Sequence, residues 1–230
     1  MGRAVAYLED RNVEPLADPL LEIVPTGATP RNDAEYLIMT SKTGVDCLVE
    51  SGWQPRDTTV CAIGDATASA LTDAGFAVDV VPADFTSSGL VEYLADDVAG
   101  ATIEVARSDH GSDVLLTGLM SAGGYVHETV LYRLQRPEGS GIATEALANE
   151  RLDGLLFTSS LTVDHFIAAA QEREIGSAVR SSLESCVIGA IGPPTAETAA
   201  SHDISVDVIP EEAMFESLAD AVIEGMNDRD

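Results

Sequence analysis

Short apolar runs alternate with amphipathic segments along most of the chain. The runs are rich in Val, Ile, Leu and Ala, as expected of strands buried on both faces. The segments between them begin with Ser, Thr or Asp and several end near Gly, which are the usual signals for the two ends of a helix. The predicted strands of the first half are 35–39, 59–63, 77–81, 101–106 and 126–133, and the predicted helices are 43–51, one that starts at Asp65 or Thr67 and stops at Gly75, 89–98 and 112–122.

The second half of the chain repeats this order. Its predicted strands are 154–157, 186–191 and 205–209, and its predicted helices are 162–173, 195–200 and 214–226. Strands alternating with helices are typical of an α/β protein with a parallel, doubly wound sheet.

One cassette occurs in both halves. A Thr-Ser pair follows the first strand of each copy, and an Ile-Gly step follows a later strand. Pro82 lies 18 positions after Gly64, and Pro210 lies 18 positions after Gly192. Copies with matched internal spacing predict two similar domains that face each other. Such domains enclose a cleft, and clefts between domains are preferred ligand sites.

The chain is expected to cross between the two domains twice. The extended segments 21–24 and 132–136 are the predicted crossings, paired as a small two-stranded ladder. The first domain is then discontinuous, with residues 1–25 plus 136–230, and the second comprises residues 26–135. Residues 4–11 have helical composition, which favours a chain that starts inside the first helix of its domain. The alternative is that Val5–Leu8 is the opening strand.

The charge balance is strongly acidic. Thirty-nine Asp and Glu residues face 12 Lys and Arg residues, which gives a formal net charge of −27. Such a charge repels nucleic acid and anionic membranes. The acids are spread along the whole chain, and molar salt screens charge to about 3 Å. We therefore expect a cytoplasmic protein from a halophilic organism, with a specific cationic partner as the alternative.

Other classes of protein find little support in the sequence. No apolar run approaches the roughly 20 residues of a membrane-spanning helix, and the N-terminus lacks the pattern of a signal peptide. The three cysteines have no metal-ligand spacing, so we predict buried, reduced thiols and no metal. The four histidines are scattered, and His110 is expected at the surface. Phosphate-binding loops and the Gly-x-Ser-x-Gly elbow are absent from the sequence.

Candidate binding residues follow the predicted strands. Ligands of parallel sheets bind beyond the carboxyl ends of the strands, where helix N-termini also favour anions. Each Ser or Thr there is more often a helix cap than a ligand contact, so the argument rests on five such loops converging on one cleft. The candidates are Thr40, Ser41, Gly64, Thr67, Arg107, Thr158, Ser159, Ser160, Gly192 and Thr195.

Tyr132 is a separate candidate, because it lies at a predicted crossing between the domains. Its phenol is a weak acid and hydrogen-bond donor that could assist a leaving hydroxyl. The alternative is an interface tyrosine that is present for its apolar ring.

Taken together, these residues resemble the uroporphyrinogen-III synthase family. The likeness runs from about Glu14 to Ile223, and no single motif carries it. The matching pieces are Thr40-Ser41 with Val45, Ile63-Gly64 with Thr67-Ala68, Arg107, Leu131-Tyr132, Phe157-Thr158-Ser159 with Val163, and Ile191-Gly192 with Thr195-Ala196.

The resemblance implies two flavodoxin-like domains with parallel sheets, joined by a two-stranded ladder around a cleft. It implies a cofactor-free lyase that closes hydroxymethylbilane to uroporphyrinogen III, with loss of water and inversion of ring D. By the family pattern Tyr132 assists the departing hydroxyl, while Thr67, Ser159 and Thr195 contact the substrate. A monomer is expected, and a transient hand-over from the upstream deaminase would fit. Pro194 departs from the family, which often has a second threonine there.

Two rival functions remain at this point. A pair of α/β domains around a cleft also describes a non-enzymatic protein that binds or senses a small anionic ligand. A transferase that uses a nucleotide is the other rival, although no phosphate-binding loop supports it. The paired cassettes favour the synthase.

Overall fold

The computed structural model describes residues 2–229. It is a mixed α/β protein, and its parallel strand pairs confirm the predicted fold class at this level. The elements follow the order α1 (Gly2–Glu9), β1 (Glu22–Pro25), β2 (Tyr36–Met39), α2 (Lys42–Glu50), β3 (Thr59–Ala62), α3 (Asp65–Asp73), α4 (Ser87–Leu94), β4 (Thr102–Ser108), α5 (Asp113–Ser121), β5 (Tyr125–Gln135), α6 (Ile142–Ala148), β6 (Gly154–Phe157), α7 (Ser160–Glu172), α8 (Gly176–Leu183), β7 (Val187–Ala190), α9 (Pro193–Ser201) and α10 (Phe215–Asn227).

The chain divides into two compact units. The central unit is Ile23–Leu134, and the terminal unit combines Met1–Glu22 with Gln135–Asp230. Each unit holds its own sheet and its own hydrophobic core.

The central unit contains a five-stranded sheet in the order β1-β5-β4-β2-β3. The neighbours β5, β4, β2 and β3 run parallel, and β1 adds one antiparallel pair at the edge beside β5. Helices α2 and α3 cover one face of this sheet, where Leu37 and Leu48 are fully buried. Helices α4 and α5 cover the other face, around Ile38 and Val105.

The predicted strand 77–81 is wrong as a full strand. Only Val80 pairs with the sheet, through a single parallel bridge to Cys61. The carboxylate of Asp79 accepts the Val60 N–H at 2.8 Å and so takes a donor that a longer ladder would use. The predicted strand 205–209 is shortened in the same way, because Asp207 accepts the Ile188 N–H at 2.8 Å.

The terminal unit contains a two-stranded parallel sheet, β6-β7. Helix α10 packs closely on it, and Gly189 of β7 provides the room: a Cβ there would lie 2.7 Å from Leu218 and closer still to Val222. The main core forms around Phe157 and Phe166, whose rings meet edge to face. Helices α6 and α8 were not predicted, and both are short, with seven and eight residues.

The start of the described chain is helical, as favoured from the sequence. Helix α1 packs against α10, where Arg11 lies over the ring of Tyr7 and pairs with Asp220. Among residues 2–229, helices that combine the length and apolarity needed to cross a membrane are not found.

Candidate active site

The strand order of the central unit contains a topological switch point. From β2 the chain moves to β3 on one side and later returns to β4 on the other side. Loops at the carboxyl ends of β2 and β4 therefore diverge, which opens a crevice of the kind that binds ligands in parallel sheets. Thr40 and Ser41 follow β2, and Arg107 and Ser108 end β4.

Ser41 and Tyr132 meet at this edge of the sheet. A hydrogen bond of 2.9 Å joins Ser41 Oγ and Tyr132 Oη. Tyr132 lies opposite Ser108 in the strand register, next to a shift in that register, and is only 7% exposed. Its ring packs in the core beneath α2, so the hydroxyl is the polar tip of a buried side chain.

Ser41 has a second partner, because it also caps helix α2. Its Oγ accepts the Gly44 N–H at 3.0 Å. A Cβ on residue 44 would lie 3.1 Å from that oxygen, so glycine leaves the hydroxyl the room it needs. A serine hydroxyl has two acceptor sites and one proton. If Gly44 and Tyr132 both donate to it, the Ser41 proton remains available to a third group.

Thr67 and Thr195 occupy equivalent positions in the two units. Each is the third residue of its helix and follows an extended N-cap glycine, Gly64 or Gly192, with φ −175° and ψ 174°. Thr67 is 4% exposed and Thr195 is 3% exposed. Neither hydroxyl has a hydrogen-bond partner among residues 2–229, where every fully buried side-chain polar atom is paired. The two hydroxyls therefore reach the surface of otherwise buried side chains, and they are available to a ligand.

The two helix N-termini beside these threonines differ in their donors. Neither α3 nor α9 has a side-chain cap, so the first N–H groups lack intrahelical partners. Helix α3 offers the N–H groups of Asp65 and Ala66. Helix α9 begins with Pro193 and Pro194, which carry no N–H. The terminal unit therefore relies on the Thr195 hydroxyl more than the central unit relies on Thr67.

Arg107 is buried and fully engaged within the protein. Its Nε donates to Glu128 Oε1 at 2.6 Å, and its guanidinium also bonds the Ser112 carbonyl and approaches Asp113. The side chain is 5% exposed. In this arrangement Arg107 shapes the loop after β4 more directly than it faces a ligand.

The remaining candidates are hydroxyls with different surroundings. Thr158 is exposed and Thr40 is half-buried, and both follow a parallel strand. Ser159 caps α7 in a capping box with Thr162. Ser160 donates to the Pro194 carbonyl at 3.1 Å and so ties together the loops after β6 and β7.

Asp109 and His110 form a pair that the sequence did not single out. His110 Nδ1 lies 2.8 Å from Asp109 Oδ1, which also accepts the Leu134 N–H at 3.0 Å. Partial burial raises the pKa of Asp109, but these hydrogen bonds lower it, and the net pKa lies below its usual range. The ionised carboxylate only accepts, so Nδ1 carries the proton and Nε2 is the free ring nitrogen.

Two cavities of the central unit lie elsewhere. One of about 380 Å³ is at the amino edge of β4 and β5, where buried Glu104 is already paired with His127 and Thr129. Another of about 330 Å³ lies between α2 and the loop after β1. We place the site at the carboxyl ends of the strands because ligands of parallel sheets bind there and because the Thr67 hydroxyl has no partner among residues 2–229.

Two further features of the site were missed from the sequence. The ring of Phe85 is 52% exposed and lies against Gly64, where a Cβ would meet it at 3.0 Å. Lys42 is the first residue of α2, beside Ser41. Among residues 2–229, clusters of three or more side chains that could hold a metal ion are not found.

Hydroxyls and helix N-termini at the carboxyl ends of parallel strands are typical of the class of α/β proteins that bind small anionic molecules. The comparisons with known proteins narrow this class. The model of the family "Uroporphyrinogen-III synthase HemD" matches residues 2–220, and the chain belongs to this family.

Relatives of known name agree with the family. A protein of Methanothermobacter thermautotrophicus, provisionally named uroporphyrinogen-III synthase, is 28% identical over 99% of this chain and 95% of its own length. The porphyrin biosynthesis protein HemD of Ruminiclostridium josui is 26% identical over 97% of this chain and 46% of its own length. The family and the names of these relatives together indicate uroporphyrinogen-III synthase activity in tetrapyrrole biosynthesis.

Solved structures agree on the fold. A mutant uroporphyrinogen III synthase from the bacterium Thermus thermophilus superimposes with a TM-score of 0.71 at 19% identity, covering 99% of this chain and 95% of that chain. The Helicobacter pylori enzyme gives 0.60 at 18% identity and covers 92% of both chains.

Proposed function

We propose that the residues at the carboxyl ends of the parallel strands bind hydroxymethylbilane and that the Ser41–Tyr132 pair assists loss of its hydroxyl. The observation that carries this proposal is the 2.9 Å hydrogen bond between Ser41 Oγ and Tyr132 Oη. It places a weak acid behind a hydroxyl at the switch point of the sheet, where a ligand of a parallel sheet binds.

The proton reaches the substrate through Ser41. Tyr132 is buried, whereas Ser41 is only half-buried, so the serine hydroxyl is the group that contacts the leaving oxygen. Ser41 donates its proton to the leaving hydroxyl as the carbon–oxygen bond breaks, and water departs. Tyr132 donates to Ser41 in turn. Ring D forms the new carbon–carbon bond to the cationic carbon and releases one proton to solvent, and the phenolate takes up one proton, so that only water is lost overall. The C–O electron pair leaves with the oxygen, and the pyrrole nitrogen lone pair stabilises the carbon cation.

The carboxylate arms and pyrrole N–H groups of the substrate meet the hydroxyls at the strand ends. The free hydroxyls of Thr67 and Thr195 donate to carboxylates, together with the N–H groups of Asp65 and Ala66. Thr40, Thr158, Ser159 and Ser160 supply further contacts. The predicted role of Arg107 becomes indirect, through the loop that its ion pair with Glu128 holds.

The main requirement of this reaction is that the protein hold the substrate in one conformation. Hydroxymethylbilane also cyclises without an enzyme, but to the isomer in which ring D is not inverted. An enzyme that holds the chain of pyrroles in one bent form therefore selects the product and lowers the entropy cost of closure.

The wider organisation fits the same proposal. We infer that the two units are copies of one flavodoxin-like domain, with boundaries near 1–25 plus 136–230 and 26–135, and that β1 and β5 form the ladder at the chain crossings. The net charge of −27 supports a halophilic, cytoplasmic enzyme.

An isomer assay tests the proposal. Hydroxymethylbilane is generated in situ, the protein is added in molar potassium chloride, and the oxidised porphyrins are separated by chromatography. Mostly isomer III is expected. Only isomer I, with tight binding of a tetrapyrrole, would instead mean a binding or sensor protein without turnover.

A further inference from the structure

Lys42 is the only lysine of the chain and is exposed in the structure. It is the first residue of helix α2, immediately after Ser41. That place is the positive end of the helix dipole, where a cation is destabilising and an anion is favoured. A lysine at this position is therefore electrostatically unfavourable for the folded protein when no ligand is bound.

Nothing in the described chain compensates for this charge. Thirty-nine acids are present, and seven arginines form ion pairs with them, yet Lys42 makes no ion pair within residues 2–229. Asp46, one turn along the same helix, is in the reach of an i, i+4 pair but does not form one, and that order of charges is the weaker one. A charge in an unfavourable position that no neighbouring charge offsets is typical of a functional site.

The position of Lys42 in the fold indicates a role in substrate binding. It follows β2 at the switch point between β2 and β4 and adjoins the Ser41–Tyr132 hydrogen bond. Four arginines, Arg3, Arg56, Arg133 and Arg151, also lie outside ion pairs within residues 2–229. Of these, only Arg133, next to Tyr132, shares this edge of the central unit. Arg107 is already bound to Glu128.

We propose that Lys42 binds a carboxylate arm of the substrate beside Ser41. This inference rests on the proposed function. A lysine ammonium is a point charge on a flexible stem, so it follows a carboxylate that moves as the ring closes. The same positive charge raises the local concentration of an anionic substrate near a protein that otherwise repels it.

The test compares Lys42→Gln with Arg56→Gln. Both remove one exposed, unpaired positive charge from the central unit. Arg56 precedes β3 and so lies at the opposite, amino edge of the sheet. Lys42→Gln is expected to raise KM about tenfold with little change in kcat, which is the signature of lost substrate binding. Arg56→Gln is expected to change KM less than twofold, and Lys42→Arg to restore most of the wild-type KM.

Salt and stability give two more readouts. The KM difference between Lys42→Gln and wild type should be largest at the lowest potassium chloride concentration in which the wild type is folded, because salt screens exposed charge. The Tm of Lys42→Gln should equal or exceed that of wild type, since a cation leaves the positive end of a helix. An equal KM for Lys42→Gln and Arg56→Gln, or a lowered Tm, would overturn the inference. If wild type forms no isomer III, the proposed function fails instead, and the two failures are distinct.

Discussion

Thr67 and Thr195 are buried equivalents of each other, one in each unit, and both hydroxyls lack a hydrogen-bond partner within residues 2–229. Each follows an N-cap glycine with the same backbone angles. We infer above that the two units are copies of one domain, and packing alone would accept valine at either position. A hydroxyl at both positions therefore supports a common use.

Replacing these threonines by valine separates function from stability. We expect Thr67→Val and Thr195→Val each to lower the rate of isomer III formation about tenfold, the effect of one lost hydrogen bond to a charged group. Thermal stability should be equal or higher, because a hydroxyl without a protein partner gives way to a methyl group of the same shape. Thr198→Val is the control, since its hydroxyl is already bonded to the Pro194 carbonyl on an exposed face. Unchanged rates in both site variants would remove these contacts.

Tyr132→Phe removes the weak acid and keeps the buried ring. The rate of isomer III formation should fall about tenfold to a hundredfold, the low end of general-acid contributions. Tyr125→Phe is a matched control, because Tyr125 is on the same strand at the amino edge and is 70% exposed. A rate for Tyr132→Phe equal to that of the control would exclude the phenol from the reaction.

The effects of replacing Ser41 and Tyr132 on kcat should be strongly coupled. If the proton passes from Tyr132 through Ser41, the double variant Ser41→Ala with Tyr132→Phe should be only slightly slower than the slower single variant. Ser41 also caps α2, so its replacement costs about 1 kcal/mol of stability. Kinetics are therefore measured well below the Tm of every variant. Independent, multiplicative effects on kcat would contradict a relay.

The repeated cassette located the two helix starts at which Thr67 and Thr195 lie and the strands that precede them, because local spacing encodes those positions. The sequence could not reveal that Arg107 is bound by Glu128, because that partner comes from the next strand and is brought close only by the sheet register. The shortened strand at Val80 depends likewise on the tertiary hydrogen bond of Asp79. Periodicity describes faces of elements and carries no information on such pairings.

Activity should rise from low salt to molar potassium chloride. A protein with 39 acids and 12 bases repels itself and its anionic substrate, and the Debye length falls from about 10 Å at 0.1 M salt to about 3 Å at 1 M. Initial rates of isomer III formation are measured across this range, with circular dichroism at each point to follow folding. A falling rate in protein that stays folded would count against the halophilic assignment.

The three cysteines are free and buried, as predicted from their apolar surroundings, and they give a test of the folded cores. Burial raises the pKa of Cys61 and Cys186 from 9.0 to about 12. The unfolded chain ionises these thiols first, so their contribution to stability is present below about pH 9 and is lost as the pH rises toward the folded value. We expect a thiol reagent at about pH 8 to modify only unfolded protein. We also expect the free energy of unfolding to fall less steeply between about pH 8 and 11 in the double variant Cys61→Ala, Cys186→Ala than in wild type, since the variant lacks both thiols. Parallel pH curves would show that the thiols do not contribute.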